Sequence, residues 1–193
     1  MEERDPPSVS KMRVWQAYKS LVRSLLGSAF RSLQGTAAYR RLANRFRPGF
    51  TIMAAEALDL KKLQAAGLAD EHGPEVTIYV ACGKQHILGF VYLVRHPPES
   101  FPYSGHYFYD LHVHPLWRRL GLGELLLQRV IDQCRLEKAP ALFGLVFEDN
   151  RPALNLYGKL GFQRAVQPGL EAQLEEERRR FGRRRVLLRK ALS

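Results

Sequence analysis

The most constraining feature of this chain is a strand–helix–strand unit in its second half. His106–Val113 (HYFYDLHV) and Leu142–Phe147 (LFGLVF) are apolar runs rich in Val, Leu, Phe and Tyr, the composition of strands. Between them, Leu122 to Glu137 repeats its apolar residues with helical period. Two strands joined by a helix of this length are expected to be parallel neighbours linked by a right-handed crossover. That alone demands a sheet with at least one helical layer.

The surrounding sequence extends the sheet mostly in the antiparallel sense. Val76–Cys82 and His86–Arg95, separated by Gly83-Lys-Gln, read as an antiparallel hairpin, and Phe50–Ala54 as an earlier strand followed by a short helix, Leu58–Ala66. A loop carrying Pro97, Pro98 and Pro102 leads into the strand at His106. After Phe147 come a short helix, Arg151–Leu160, closed by Gly161, and two final strands, Phe162–Val166 and Val186–Leu192. The charged stretch EAQLEEERRR between those strands reads as a helical insert. The expected fold class is α/β, with a mixed, mostly antiparallel central sheet and helices on both faces.

Ahead of this domain, residues 1–10 read as disordered. From Lys11 to Leu33 the residues Trp15, Tyr18, Val22, Leu25, Leu26, Ala29 and Leu33 recur at helical spacing. Gly35 ends that segment, Thr36 is a fair cap for a second helix reaching Phe46, and Pro48-Gly49 punctuates the chain. Residues 1–48 are thus read as an N-terminal helical extension, and 49–193 as the main domain.

Charge and cysteine usage narrow the setting. Thirty Lys and Arg against nineteen Asp and Glu give a net charge of +11, concentrated in Lys11–Arg47 and in RRRFGRRR at Arg178–Arg185. Such a field attracts anions, although charge runs are most often solvated faces. An amphipathic basic helix can lie on a membrane, but packing on its own domain or on a twin subunit is its commoner use. Nucleic acid and membrane surfaces are therefore secondary partner readings, with a homodimer beside them. Cys82 and Cys134 form no CxxC pair and have no histidine at metal-ligand spacing, so two reduced thiols in a cytoplasmic protein, and no metal, are expected. The start, MEERDPP, lacks an apolar leader, and no apolar run reaches the length of a membrane span.

RRLGLGELLL, beginning at Arg118, sets Gly121 and Gly123 against the start of the central helix. The first N–H groups of a helix lack intrahelical partners and its dipole favours anions there. Glycines let a phosphate approach those groups closely, so the stretch reads as a phosphate or diphosphate cradle. It lacks the GK[ST] ending of a nucleotide-hydrolysing loop and the third glycine of a dinucleotide fingerprint. Tight strand–helix packing is the alternative use of the same glycines.

A second stretch, NRPALNLYGKLGF, places Asn150 after a buried strand and Tyr157 on the following short helix. Together, LHVHPLWRRLGLGELLL and NRPALNLYGKLGF resemble the two signature blocks of the GCN5-related N-acetyltransferases, through Arg118-x-x-Gly121-x-Gly123 and Asn150-x-x-Ala153-x-x-Leu156-Tyr157-x-Lys159-x-Gly161-Phe162. The resemblance covers roughly residues 50–192, without the charged insert. It implies an acetyl-CoA-dependent N-acetyltransferase, with the cosubstrate held where two parallel strands splay apart. Backbone groups of Leu111, His112 and Val113 would bind the pantetheine and acetyl carbonyl. Arg118 begins the matching loop, and N–H groups of Arg119, Leu120, Gly121, Leu122, Gly123 and Glu124 would hold the diphosphate. Glu124 is an odd choice beside a diphosphate, although a carboxylate suits a helix start.

The implied reaction moves an acetyl group from a thioester to a primary amine by direct attack in a ternary complex. Tyr157 matches the family tyrosine that meets the CoA sulfur, and Asn150 matches a CoA-contacting asparagine; a packed aromatic and a helix cap are their structural alternatives. The chain departs from the family at the general base. Leu145 stands where ribosomal-protein-type members carry Glu, and Tyr109 where polyamine-type members do. Asp110 is the first candidate base, His112 the second and Glu148 the third. The competing reading is a CoA-binding module of the same fold, with little catalysis, anchored to nucleic acid or membrane by its basic segments.

Overall fold

The computed structural model describes residues 50–55, 68, 75–83 and 87–192. The helix expected at Leu58–Ala66 and the extension 1–48 lie outside the described residues. Within them the chain forms β1 (Thr51–Ala54), β2 (Val76–Cys82), β3 (Ile87–His96), β4 (Gly105–Val113), α1 (Leu122–Leu136), β5 (Ala141–Phe147), α2 (Arg151–Lys159), β6 (Gln163–Ala165), α3 (Leu170–Phe181) and β7 (Arg185–Ala191). Each expected element in this span is present, with ends that coincide or shift by a single residue.

The seven strands form one sheet in the order β1-β2-β3-β4-β5-β7-β6. Every neighbouring pair is antiparallel except β4 and β5, the parallel pair that the α1 crossover dictates. Helix α1 buries Leu122, Leu126, Leu127, Val130, Ile131 and Cys134, a stripe at helical spacing. They pack with Tyr79, Val91, Leu93, Leu142 and Val146 from one face of the sheet, and α2 adds Tyr157 to the same core. Burying each large side chain contributes about 1.5–3 kcal/mol. On the other face α3 sets Leu170 and Leu174 against Tyr107, Phe143, Leu145 and Leu187. The sheet is thus covered on both faces.

Two details position the site. Along β4, Tyr107 and Tyr109 face α3, whereas Phe108 and then Leu111 and Val113 face α1. Strict alternation would keep all odd-numbered residues on one side. The phase flips because β4 carries one extra residue: Tyr109 pairs with Tyr92 and His112 with Phe90, so Asp110 and Leu111 together oppose Val91. This is a β-bulge, and Asp110 takes the left-handed φ of +44° within it.

The second detail is Gly144. It pairs with Phe108 across the parallel ladder, and the Phe108 ring occupies the space that a Cβ at Gly144 would fill. That ring packs edge-on against Tyr157 and Phe162, with centroids 5.1 and 5.4 Å away.

Candidate functional site

Pairing between β4 and β5 is confined to His106–Phe108 against Leu142–Gly144. Beyond that point β4 continues along β3 to Val113, and β5 continues along β7 to Phe147. The two strands therefore diverge into a fork whose vertex is Phe108 and Gly144. Among the described residues no strand pairs with the β5-facing edge of Leu111, His112 and Val113.

Above the vertex stands Tyr157, only 7% exposed. Burial, and secondly the negative charge of Asp110, push its phenol up to about 12. Among the described residues no hydrogen bond to this hydroxyl is found. At neutral pH it is a protonated, buried donor, a costly arrangement unless something else occupies the cleft.

The loop after β4 delivers the chain to α1. His114–Trp117 makes a tight turn, and the Arg118 Nε donates to the Val113 carbonyl at 2.9 Å, closing the loop back on its strand. Arg119 and Gly121 both have positive φ, +67° and +82°. Gly121 is the residue before the first helical turn, where a left-handed backbone favours glycine. Among the described residues no side chain caps this end of α1, and its first intrahelical bond runs from Leu125 N–H to Gly121. The preceding N–H groups, of Leu122, Gly123 and Glu124, form the open helix end. Gly123 is glycine for a different reason: a Cβ there would meet Leu156 of α2 at 3.3 Å and Leu111 and Val113 of β4 at 3.8 Å. Of the two uses of glycine weighed from sequence, close packing applies at Gly123, while Gly121 answers to its left-handed backbone.

Asn150 caps α2, its Oδ1 accepting from Ala153 N–H at 3.4 Å. Asp110 is exposed on the bulge at the fork. His112, the next residue but one, lies on the α3 face with its ring 5.3 Å from that of Phe90. Glu148, at the far end of β5, is paired with Arg164 at 2.9 Å and lies 4.0 Å from Arg184. Of the three candidate bases, Asp110 alone is electrostatically coupled to Tyr157.

Sequence reasoning missed three features. The bulge is silent because residues 107, 109, 111 and 113 are all apolar or aromatic, so no break in alternation is visible. The approach of Phe108 to Gly144 is a long-range contact without a local signal. The third is a charge network at the closed end of the fork: Arg95 makes two hydrogen bonds to Glu137, at 2.6 and 2.8 Å, while His106 and Gln133 reach the same carboxylate. This holds Glu137 at about 2, through the Arg95 hydrogen bonds first of all.

The arginine run that motivated an anchor reading is largely engaged within the domain. Arg178 and Arg179 pair with Glu175 and Glu176 one turn back on α3, Arg183 with Asp149, and Arg185 with Glu177. The other basic segment, Lys11–Arg47, lies outside the described residues. Neither Cys82 nor Cys134 is in a disulfide. Among the described residues no group of His, Cys, Asp and Glu is arranged to hold a metal, and no helix is long and apolar enough to cross a membrane.

Comparison with known proteins gives this geometry a context. The family model described as "Acetyltransferase (GNAT) family" matches residues 36–162. No curated protein sequence matches the chain. Among solved structures, the ribosomal-protein-S18-alanine N-acetyltransferase of Escherichia coli superposes with a TM-score of 0.54 at 19% identity, covering 75% of this chain and 94% of its own. A Bacillus anthracis protein assigned as a streptothricin acetyltransferase, in complex with acetyl coenzyme A, gives 0.52 at 20% identity over 63% of this chain and 66% of its own. NAA60 of Arabidopsis thaliana, in complex with a bisubstrate analogue, gives 0.54 at 14% identity over 74% and 97%. At these identities the likeness to solved structures establishes the fold alone.

Proposed function

The chain belongs to the acetyltransferase (GNAT) family, and on that premise we propose that it transfers an acetyl group from acetyl-CoA to a primary amine by direct attack in a ternary complex. The observation that carries this reading is the fork between β4 and β5, with the buried hydroxyl of Tyr157 at its vertex and the uncapped end of α1 at its mouth. The residues fit the cosubstrate: an extended strand edge for an amide-bearing arm, a helix end for a diphosphate and an orphaned buried donor for a sulfur.

In this reading Leu111, His112 and Val113 hold the pantetheine arm through their backbone. Arg118 braces the loop, and the N–H groups from Arg119 to Glu124 hold the diphosphate. Asn150 fixes the start of α2, and so the placement of Tyr157. Acetyl-CoA, when bound, supplies an activated acetyl thioester. An alkyl ammonium acceptor, with pKa near ~10.4, must lose a proton before it can attack. Asp110, exposed at the fork, accepts that proton directly or through water. Tyr157, protonated at neutral pH, gives its proton to the departing thiolate, whose thiol has a pKa near ~8.5, and the second proton that the nitrogen loses as the amide forms restores the phenol. No covalent enzyme intermediate is required. The domain boundary after residue 48 and a cytoplasmic location belong to the same proposal.

The test is a panel of primary amines (small amines, amino sugars, peptides with free N-termini or lysines) assayed for CoA release. Turnover with at least one class supports the reading. Saturable CoA binding with no turnover across the panel would favour a binding module instead.

A further inference from the structure

The carboxylate of Glu124 sits in the first turn of α1, where the proposed diphosphate would bind, and like charges there would repel. Glu124 makes no capping bond to that turn. Its Oε2 instead accepts from the Nζ of Lys159, the last residue of α2, at 2.6 Å. The two helices are held close at this point by Leu156, which lies where a side chain on Gly123 would begin. The Lys159 side chain is 66% exposed and that of Glu124 36%. An exposed ion pair of this kind is weak and readily exchanged, whereas an ammonium facing a phosphate makes a stronger charge-assisted bond.

We propose that Lys159 is the cation that completes the phosphate-binding end of α1, and that Glu124 holds it there until an anion arrives. In the ligand-free protein the pair leaves the helix end almost neutral. When phosphate binds, the ammonium turns from Glu124 to the phosphate oxygens, and the carboxylate swings towards solvent. The pair thereby sets affinity for the CoA phosphates, at a cost that Glu124 imposes and Lys159 offsets. This inference rests on the acetyl-CoA reading above.

The experiment is calorimetric titration of the full chain with CoA, and separately with pantetheine, which lacks the diphosphate. Lys159→Gln should weaken CoA binding about 5- to 20-fold, while Glu124→Gln should tighten it about 2- to 5-fold. Lys159→Arg should restore most of the loss, and pantetheine binding should not respond to any of the three. Thermal melts of the variants check that they fold. A pair that merely clamps α1 to α2 predicts the same sign for both glutamine variants, since each breaks the same bridge. A wild-type chain that binds CoA while both variants weaken it equally overturns this inference alone. A wild-type chain that binds no CoA overturns the acetyl-CoA reading and this inference with it.

Discussion

The ring of Tyr157 lies 5.1 Å from that of Phe108, edge to face, at the residue where β4 and β5 stop pairing. One aromatic contact thus ties the helix that carries the proposed proton donor to the vertex of the fork. Phe108 can take this position because Gly144, its partner on β5, has no side chain to exclude it.

Tyr157→Phe preserves the ring contact and removes only the hydroxyl. The maximal acetylation rate should fall about 100-fold or more, the usual scale for losing a positioned proton donor. CoA affinity should change by less than about 3-fold, since the residue's packing is retained. Steady-state rates and a CoA titration check this, and a wild-type rate removes Tyr157 from the mechanism.

Asp110→Asn removes the charge that helps keep the phenol of Tyr157 protonated. Two effects should appear together: a loss of rate at neutral pH, and a downward shift of the Tyr157 titration from about 12. Since Tyr157 is raised in the folded protein, the stability it contributes is present below its ordinary value of 10.0 and is lost as pH rises towards about 12. The window should narrow in the variant. Phenolate absorbance against pH, with Tyr157→Phe as the blank, reads the shift; an unmoved titration dissociates the two groups.

Gly144→Ala forces a methyl group into the Phe108 ring and should cost about 1–3 kcal/mol, the range for overpacking. Phe108→Leu in the same chain should recover part of that loss, because the smaller side chain vacates the space. Urea denaturation of the two single variants and the double variant measures the coupling. Additive losses would mean that the ring and the glycine do not compete.

Glu137→Gln breaks the junction of Arg95, His106 and Gln133 and should destabilise the fold by about 1–3 kcal/mol near neutral pH. Because Glu137 is held at about 2, below its ordinary 4.5, its contribution is full above 4.5 and is lost as pH falls towards 2. The difference between wild type and variant should therefore be flat from pH 6 to 8 and shrink between about 4.5 and 2. A gap that persists at pH 2 would assign the loss to packing.

Much of the architecture was legible in the residues themselves. Strand and helix patterns located nearly every described element, and the crossover through Leu122–Leu136 required β4 and β5 to be parallel. The glycines at 121 and 123 and the tyrosine at 157 marked the candidate site, because backbone conformation and donor chemistry are written in residue type. The residues ranked Asp110 ahead of His112 and Glu148 as candidate base, but could not show where each one sits in the fold. Their separation depends on which face each occupies after the bulge and on arginines brought in from β6 and from the approach to β7, contacts far apart in sequence.

The sequence by itself determined the sheet, its parallel pair and the glycine-marked helix start, since these follow from local periodicity, chirality and glycine. Only the tertiary structure decided where the strands part, which carboxylate's charge is felt by Tyr157 and which is paired with arginine, and that Lys159 comes to rest on Glu124. Those outcomes turn on one extra residue in β4 and on side chains meeting across the fold, and neither leaves a local pattern along the chain.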